Sequence, residues 1–250
     1  MSSAPSRPTA GVPPQGDLTG FAKVDAWVFD LDNTLYPRHT NLYLQVDRRI
    51  RDFVGTLLKI GADEAQRVQK DYYKRYGTTL RGLMVEHGIL PDEFLEYVHD
   101  IDHSPVEADP RLAAAIEGLP GRKFILTNGS RRHAEKVAER LGVTEQFEDI
   151  FDIVSSELLP KPNRATYDRF LAATGVSPGT AAMFEDLSRN LVEPRALGMI
   201  TVLVVPGGIR EVFHEDWELE GRDAAHIDHL TDDLGGFLES VSAAIGAGGL

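Results

Sequence analysis

The chain has 250 residues, with 26 basic and 39 acidic side chains and a formal charge of −13. That balance argues against a broad nucleic-acid surface, which needs clustered Lys and Arg, while still allowing phosphate to bind at a metal ion or a local positive site. Cysteine is absent, which excludes disulfides, thiol nucleophiles and zinc–thiolate sites.

The opening "MSSAPSRPTAGVPPQGD" is rich in Pro, Ser and Gly and lacks an apolar h-region. Residues 1–20 therefore read as a disordered tail and not as a secretory signal. No apolar run approaches the ~20 residues of a spanning helix. The expectation is a cytoplasmic protein with no membrane partner.

The first predicted element is a strand in "VDAWVF", apolar, β-branched and aromatic, as in a strand covered on both faces. It runs into "DLDNT", where Asp30 and Asp32 stand at its end. Carboxylates there need a partner or a metal, although an Asx-rich turn leaving a strand fits the same letters. From about Asn41 to Leu58 the residues Leu42, Val46, Ile50, Phe53, Val54 and Leu57 recur at helical spacing. Further helical patterns follow at Asp63–Tyr76, Thr79–His87 and Asp92–Asp100, punctuated by Gly61, Gly77, Gly88 and Pro91.

The pattern then changes. "KFILT" reads as a strand, Arg131–Leu141 as a helix closed by Gly142, and "DIFDIVSS" as a strand. Ala165–Thr174 is a helix, "TAAMFED" a strand, Leu187–Leu197 a helix and "MITVLVV" a strand. "AAHID" is a candidate last strand before a helix over Asp232–Ile245. Strands alternating with helices predict an α/β fold with a Rossmann-like parallel sheet. A helical cap, residues 38–105, is inserted after the first strand, and residues 21–37 and 106–250 form the core.

In such sheets ligands bind beyond the carboxyl ends of the strands. Those ends carry Asp30 and Asp32, then Thr127, Asn128 and Gly129, then Glu185 and Asp186, with Lys161 in the loop "LLPKPNR". Each fragment is weak alone: Lys161 by itself reads as a solvated charge. Their order and shared edge make the joint signal.

With these residues collected, the chain resembles the haloacid dehalogenase superfamily of phosphatases. "DLDNT" resembles its first motif, "LTN" its second, the lysine of "PKP" its third and "EDLSRN" its fourth, within a likeness running from about Val24 to Val205. "FDLDNTLYP", "YGTTLRGL", "VHDID" and "ILTNGSRRHAEKV" resemble, more narrowly, the pyrimidine 5'-nucleotidase branch. The resemblance implies a Mg²⁺-dependent phosphomonoester hydrolase whose substrate is a small phosphorylated metabolite, most closely a nucleoside monophosphate.

The chemistry suits the residues. Asp30 is the candidate nucleophile, forming an aspartyl-phosphate that splits hydrolysis into two steps. Asp32 is the candidate general acid and base. Mg²⁺ takes oxygen ligands. Asp30 and Asp186 offer carboxylates, the resemblance adds the main-chain carbonyl of Asp32, and Glu185 either binds the metal or orients its water. Where relatives often carry a further acid, this chain has Asn190, which is expected to orient and not to neutralise. Thr127, Asn128 and the Gly129 amide are candidate phosphate ligands, Ser130 a helix cap, and Lys161 a charge beside Asp30.

In the cap, Tyr76 is a candidate to stack on a base, with Thr78 and Thr79 offering hydroxyls. The same residues also fit a helix break at Gly77, a cap at Thr78 or Thr79, and Tyr76 as packing. His87, His99 and His103 have no convincing metal-ligand spacing. Rival readings are a phosphatase or mutase for sugar phosphates or other small metabolites, a hydrolytic dehalogenase, and a non-catalytic binding protein on the same fold. The dehalogenase needs neither the metal nor the second acid, so Asp32 and the "ED" pair speak against it.

Overall fold

A computed structural model describes residues 16–206 and 224–248. Of the tail expected over 1–20, residues 1–15 lie outside that range, as do 207–223 and 249–250 of the expected core. Structure begins sooner than the tail reading allows. Leu18–Lys23 is a 3-10 helix capped by Asp17, held because buried Phe21 packs on Trp27 and Phe237.

Among the described residues six strands form one parallel sheet: β1 (Ala26–Phe29), β2 (Arg122–Leu126), β3 (Asp149–Phe151), β4 (Ala181–Glu185), β5 (Ile200–Val204) and β6 (His229–Thr231), in the order β3-β2-β1-β4-β5-β6. Alternation along β1 sends Trp27 and Phe29 to one face and Ala26 and Val28 to the other, and each face has its own apolar core. The strand order reverses between β1 and β4, and the crevice beyond such a switch point is where ligands bind.

Between β1 and β2 the chain forms α1 (Leu42–Leu58), α2 (Ala62–Tyr76), α3 (Thr79–His87), α4 (Pro91–Val98) and α5 (Pro110–Glu117). The first four close a third apolar cluster around Val46, Val54, Leu83, Phe94 and Val98, joined by Ile153 from the loop after β3. The core helices are α6 (Arg131–Leu141), α7 (Arg164–Thr174), α8 (Val192–Leu197) and α9 (Leu234–Gly248).

Some elements depart from the sequence reading. α5 is an addition, started by Asp109, whose carboxylate accepts from Leu112 N, and by Pro110 in the first turn. The strand expected through "DIFDIVSS" stops at Phe151, because Asp152 turns the chain by accepting from the Arg131 and Ser155 amides. The helix expected from Leu187 opens as a 3-10 turn, Ser188–Leu191. The last strand lies after "AAHID", since Asp228 is spent on Thr201 before pairing with β5 begins at His229.

Candidate active site

Beyond β1 the chain turns sharply. The Thr34 and Leu35 amides both donate to the Leu31 carbonyl, and Asn33 takes a φ of 60°, a left-handed conformation that Asn tolerates. The turn leaves Asp30 6% exposed at the sheet edge. Lys161 Nζ donates to Asp30 Oδ1 at 2.7 Å, Glu185 Oε1 at 2.8 Å and the Leu126 carbonyl at 2.8 Å. It is not a solvated charge: Lys161 is 1% exposed. Thr34 Oγ1 donates to Asp30 Oδ2 at 2.9 Å. Asn190 Nδ2 donates to Glu185 Oε1 at 2.6 Å, and Arg38 pairs with Asp186 at 3.2 Å.

Carboxylate oxygens of Asp30, Glu185 and Asp186 lie within 4.8 Å of one another. Burial pushes Asp30 above the usual carboxylate range; Lys161 opposes it, and Glu185 and Asp32 add to it. Burial likewise drives Asp186 well up, reinforced by Glu185 and Asp30 against Arg38 and Lys161. Burial works against the charge on Lys161, but Asp30 and Glu185 outweigh it and hold the ammonium protonated. When ionised, these three carboxylates outnumber Lys161 and Arg38, the cations paired with them, and their donors are all hard oxygens. A divalent cation such as Mg²⁺ fits that donor set.

The β2 end contributes Thr127, Asn128 and Gly129. Asn128 grips the Lys161 backbone: its Oδ1 accepts from Lys161 N at 2.8 Å, and its Nδ2 donates to Lys161 O at 3.3 Å. The Gly129 amide, expected to face an anion, instead donates to Thr127 Oγ1 at 2.9 Å. The short turn brings the two together, and the Thr127 hydroxyl keeps its own proton to donate. Ser130 caps α6, accepting from His133 N.

Asp32 Oδ1 accepts from the buried Tyr36 hydroxyl and lies 3.1 Å from His133 Nε2. Burial alone would raise Asp32, but His133, Tyr36 and His99 together bring it down to about 2. Unliganded, it is a carboxylate, the form that takes a proton from water. Donating one requires the negative charge of a bound phosphoryl group to reverse that direction.

These groups surround one cavity of about 200 Å³ open to water, with room for a small metabolite. Its lining includes Asp30, Asp32, Thr127, Asn128, Gly129, Lys161, Glu185 and Asp186. The far wall is Tyr43, Tyr73, Thr78, Thr79, Phe94 and Val98. Tyr76 is a correction: it does not line the cavity. It ends α2, where Glu86 takes its hydroxyl and the Arg75 guanidinium sits 4.9 Å over its ring. Thr78 and Thr79 do line it, but Thr78 caps α3 by accepting from Arg81 N, and buried Thr79 donates its hydroxyl to the Gln69 carbonyl at 3.1 Å.

The profile of the haloacid dehalogenase-like hydrolases matches residues 24–191. The chain belongs to that family. Among curated proteins it is similar to phosphate metabolism protein 8 of Saccharomyces cerevisiae, 28% identical over a 220-residue alignment that covers 80% of this chain and 65% of the yeast one. It thus spans just under two thirds of that relative's length. Among solved structures, the L-2-haloacid dehalogenase of Xanthobacter autotrophicus superposes with a TM-score of 0.54 at 17% identity, over 87% of this chain and 98% of that one. A phosphatase of the same superfamily from Thermococcus onnurineus gives 0.51 at 20%, over 77% and 92%. Likeness at that identity establishes the fold. Among the described residues no helix is long and apolar enough to cross a membrane.

In this haloacid dehalogenase-like hydrolase Arg38, Tyr43 and Tyr73 carried no sequence signal, and Tyr36 and His133 stood inside "FDLDNTLYP" and "ILTNGSRRHAEKV" with no role of their own. His133 lies on the buried face of α6 among Ala134, Val137 and Leu141, so in sequence it reads as a core histidine. His99 and His103, set aside as metal ligands, gather on it: the His99 ring stacks at 4.7 Å and His103 Nε2 is 3.1 Å from His133 Nδ1. Burial, with the charge of His133 next, lowers His99 from 6.5 to about 3. A histidine held neutral in the fold gives its full stability above about pH 6.5 and loses it as pH falls below that value. His99→Phe removes this liability. Thermal unfolding should show Tm of the variant, relative to the unaltered chain, rising as pH drops from about 7 to about 5. A pH-independent difference would show that His99 does not titrate with unfolding.

Proposed function

We propose that this hydrolase is a Mg²⁺-dependent phosphomonoesterase working through an aspartyl-phosphate, with nucleoside 5'-monophosphates as substrates and pyrimidine bases preferred. The observation that carries the reading is the buried Lys161 held between Asp30 and Glu185, beside Asp186 and with Asp32 at the same cavity. A simple dehalogenase would have no use for the extra carboxylates.

Asp30 attacks phosphorus, a P–O bond forms to its carboxylate, and the bond to the leaving oxygen breaks. Asp32 protonates that oxygen, then takes a proton from the water that attacks the aspartyl-phosphate, which releases inorganic phosphate and restores Asp30. Lys161 and the Thr127 hydroxyl offset charge on the phosphoryl oxygens, where positioning and electrostatics carry much of the catalysis. Asp30, Glu185, Asp186 and the Asp32 carbonyl would hold Mg²⁺, which when bound neutralises phosphate charge.

Substrate choice falls to the far wall, since the core groups address only the phosphoryl unit. Tyr73, gripped by Arg189 at its hydroxyl and 4.6 Å from that guanidinium at its ring, and Tyr43 supply aromatic surface for a base. A screen of nucleotides, sugar phosphates and 2-haloacids with added Mg²⁺ tests the reading. UMP and CMP should give the highest kcat/KM, and Tyr73→Ala should cut their advantage over glucose phosphates by about 10-fold. Better turnover of sugar phosphates would move the assignment to them, and halide release would replace it.

A further inference from the structure

Asp32 is held asymmetrically. Both His133 Nε2 and the Tyr36 hydroxyl meet Oδ1, while among the described residues none hydrogen-bonds Oδ2. The asymmetry leaves one oxygen for the cavity that Asp32 lines. The His133 ring is itself fixed from behind. The Ile101 carbonyl accepts from His103 Nδ1 at 3.1 Å, so in the neutral His103 ring Nε2 is an acceptor. His133 Nδ1, 3.1 Å away, donates to it, and His133 Nε2 donates to Asp32 Oδ1, so the paired ring carries a proton on both nitrogens. His103 is pushed down to about 4, chiefly by burial, so the neutral form of that ring prevails near pH 7. His133 is 1% exposed, and the His99 and His103 rings lie 4.7 Å and 5.2 Å from it.

The geometry points to His133 as the positioning residue of the general acid: it clamps Asp32 Oδ1 so that Oδ2 is presented to the leaving-group oxygen. His103, held by the Ile101 carbonyl, fixes the orientation of that ring. His99 sits at the end of α4 and touches Ser130 Oγ at 3.0 Å as well as the His133 ring. The clamp is therefore anchored both to the helical insert and to the core. The inference rests on Asp32 being the acid, as proposed above.

The test uses the full chain with Mg²⁺ and single-turnover kinetics, so that attack on the ester is read. Substrates are the best alkyl phosphate of the screen and 4-nitrophenyl phosphate, whose leaving group scarcely needs a proton. His133→Phe should lower the alkyl phosphate rate constant by about 10²-fold with KM nearly unchanged, and the aryl rate by less than about 3-fold, since misplacing a catalytic group costs on this scale. His133→Gln keeps an amide able to meet Oδ1 and should recover about 10-fold of the loss. Mg²⁺ affinity should be unaltered in both. Equal losses on the two esters, a loss confined to KM, or no recovery in His133→Gln would overturn the clamp. Should His133→Phe not fold, His133→Gln alone decides: its loss must be larger on the alkyl ester. Asp32→Asn is measured alongside. A selective loss there without one in the His133 variants overturns the clamp and leaves the acid standing, whereas no selective loss in Asp32→Asn overturns both.

Discussion

Asp30→Asn is expected to lower phosphoester turnover by roughly 10⁴-fold or more, because the covalent route has no other attacking group. The substitution keeps the shape of the side chain. Its amide oxygen can still accept from Lys161 Nζ, now 2.7 Å from Asp30 Oδ1, so the ammonium is not stranded in the interior. What disappears is the nucleophile and one of the three clustered carboxylates. Circular dichroism should match the unaltered chain. Acid-quenched protein incubated with ³²P-labelled substrate should carry label in the unaltered chain and none in the variant. A folded Asp30→Asn chain with substantial turnover would sink the aspartyl-phosphate mechanism.

Removal of metal should have the second largest effect. EDTA should abolish turnover and Mg²⁺ restore it, and the same ion should raise Tm. The pH dependence follows from the acidic cluster. Asp30 and Asp186 are both raised above the ordinary 3.8. Without a cation, their contribution to stability is complete below that value and is lost as pH rises through their folded pKa values. Mg²⁺ relieves the repulsion that appears on ionisation but must displace protons at lower pH. The rise in Tm at saturating Mg²⁺ should therefore be larger near pH 8 than near pH 6, and Asp186→Ala should remove most of it. Full activity in metal-free buffer, with no change in Tm on adding Mg²⁺, would favour the dehalogenase reading.

Chain-local physics was enough for the helix–strand order and for the strand ends. Solidly apolar β1 and β4, the glycines closing α2, α3, α6 and α7, and the turn chemistry at "DNT" are dictated within a few residues. The parallel sheet follows from them. Spacing along the chain also placed Asp30, Asp32, Thr127, Lys161, Glu185 and Asp186 at one edge, since strands entering a parallel sheet all end on the same side. Side-chain direction and company were decided only in three dimensions. Lys161, a surface charge by its loop, is buried because two carboxylates from β1 and β4 receive it. Tyr76 was drawn out of the cavity by Arg75 and Glu86, and Tyr43 and Tyr73 line it instead. The histidines at 99, 103 and 133 carry no shared spacing, and they meet because the end of α4, the linker that follows and α6 pack side by side. Sequence constrains what each segment can be; which polar atoms face one another depends on non-local packing, and from that packing came the setting of Asp32.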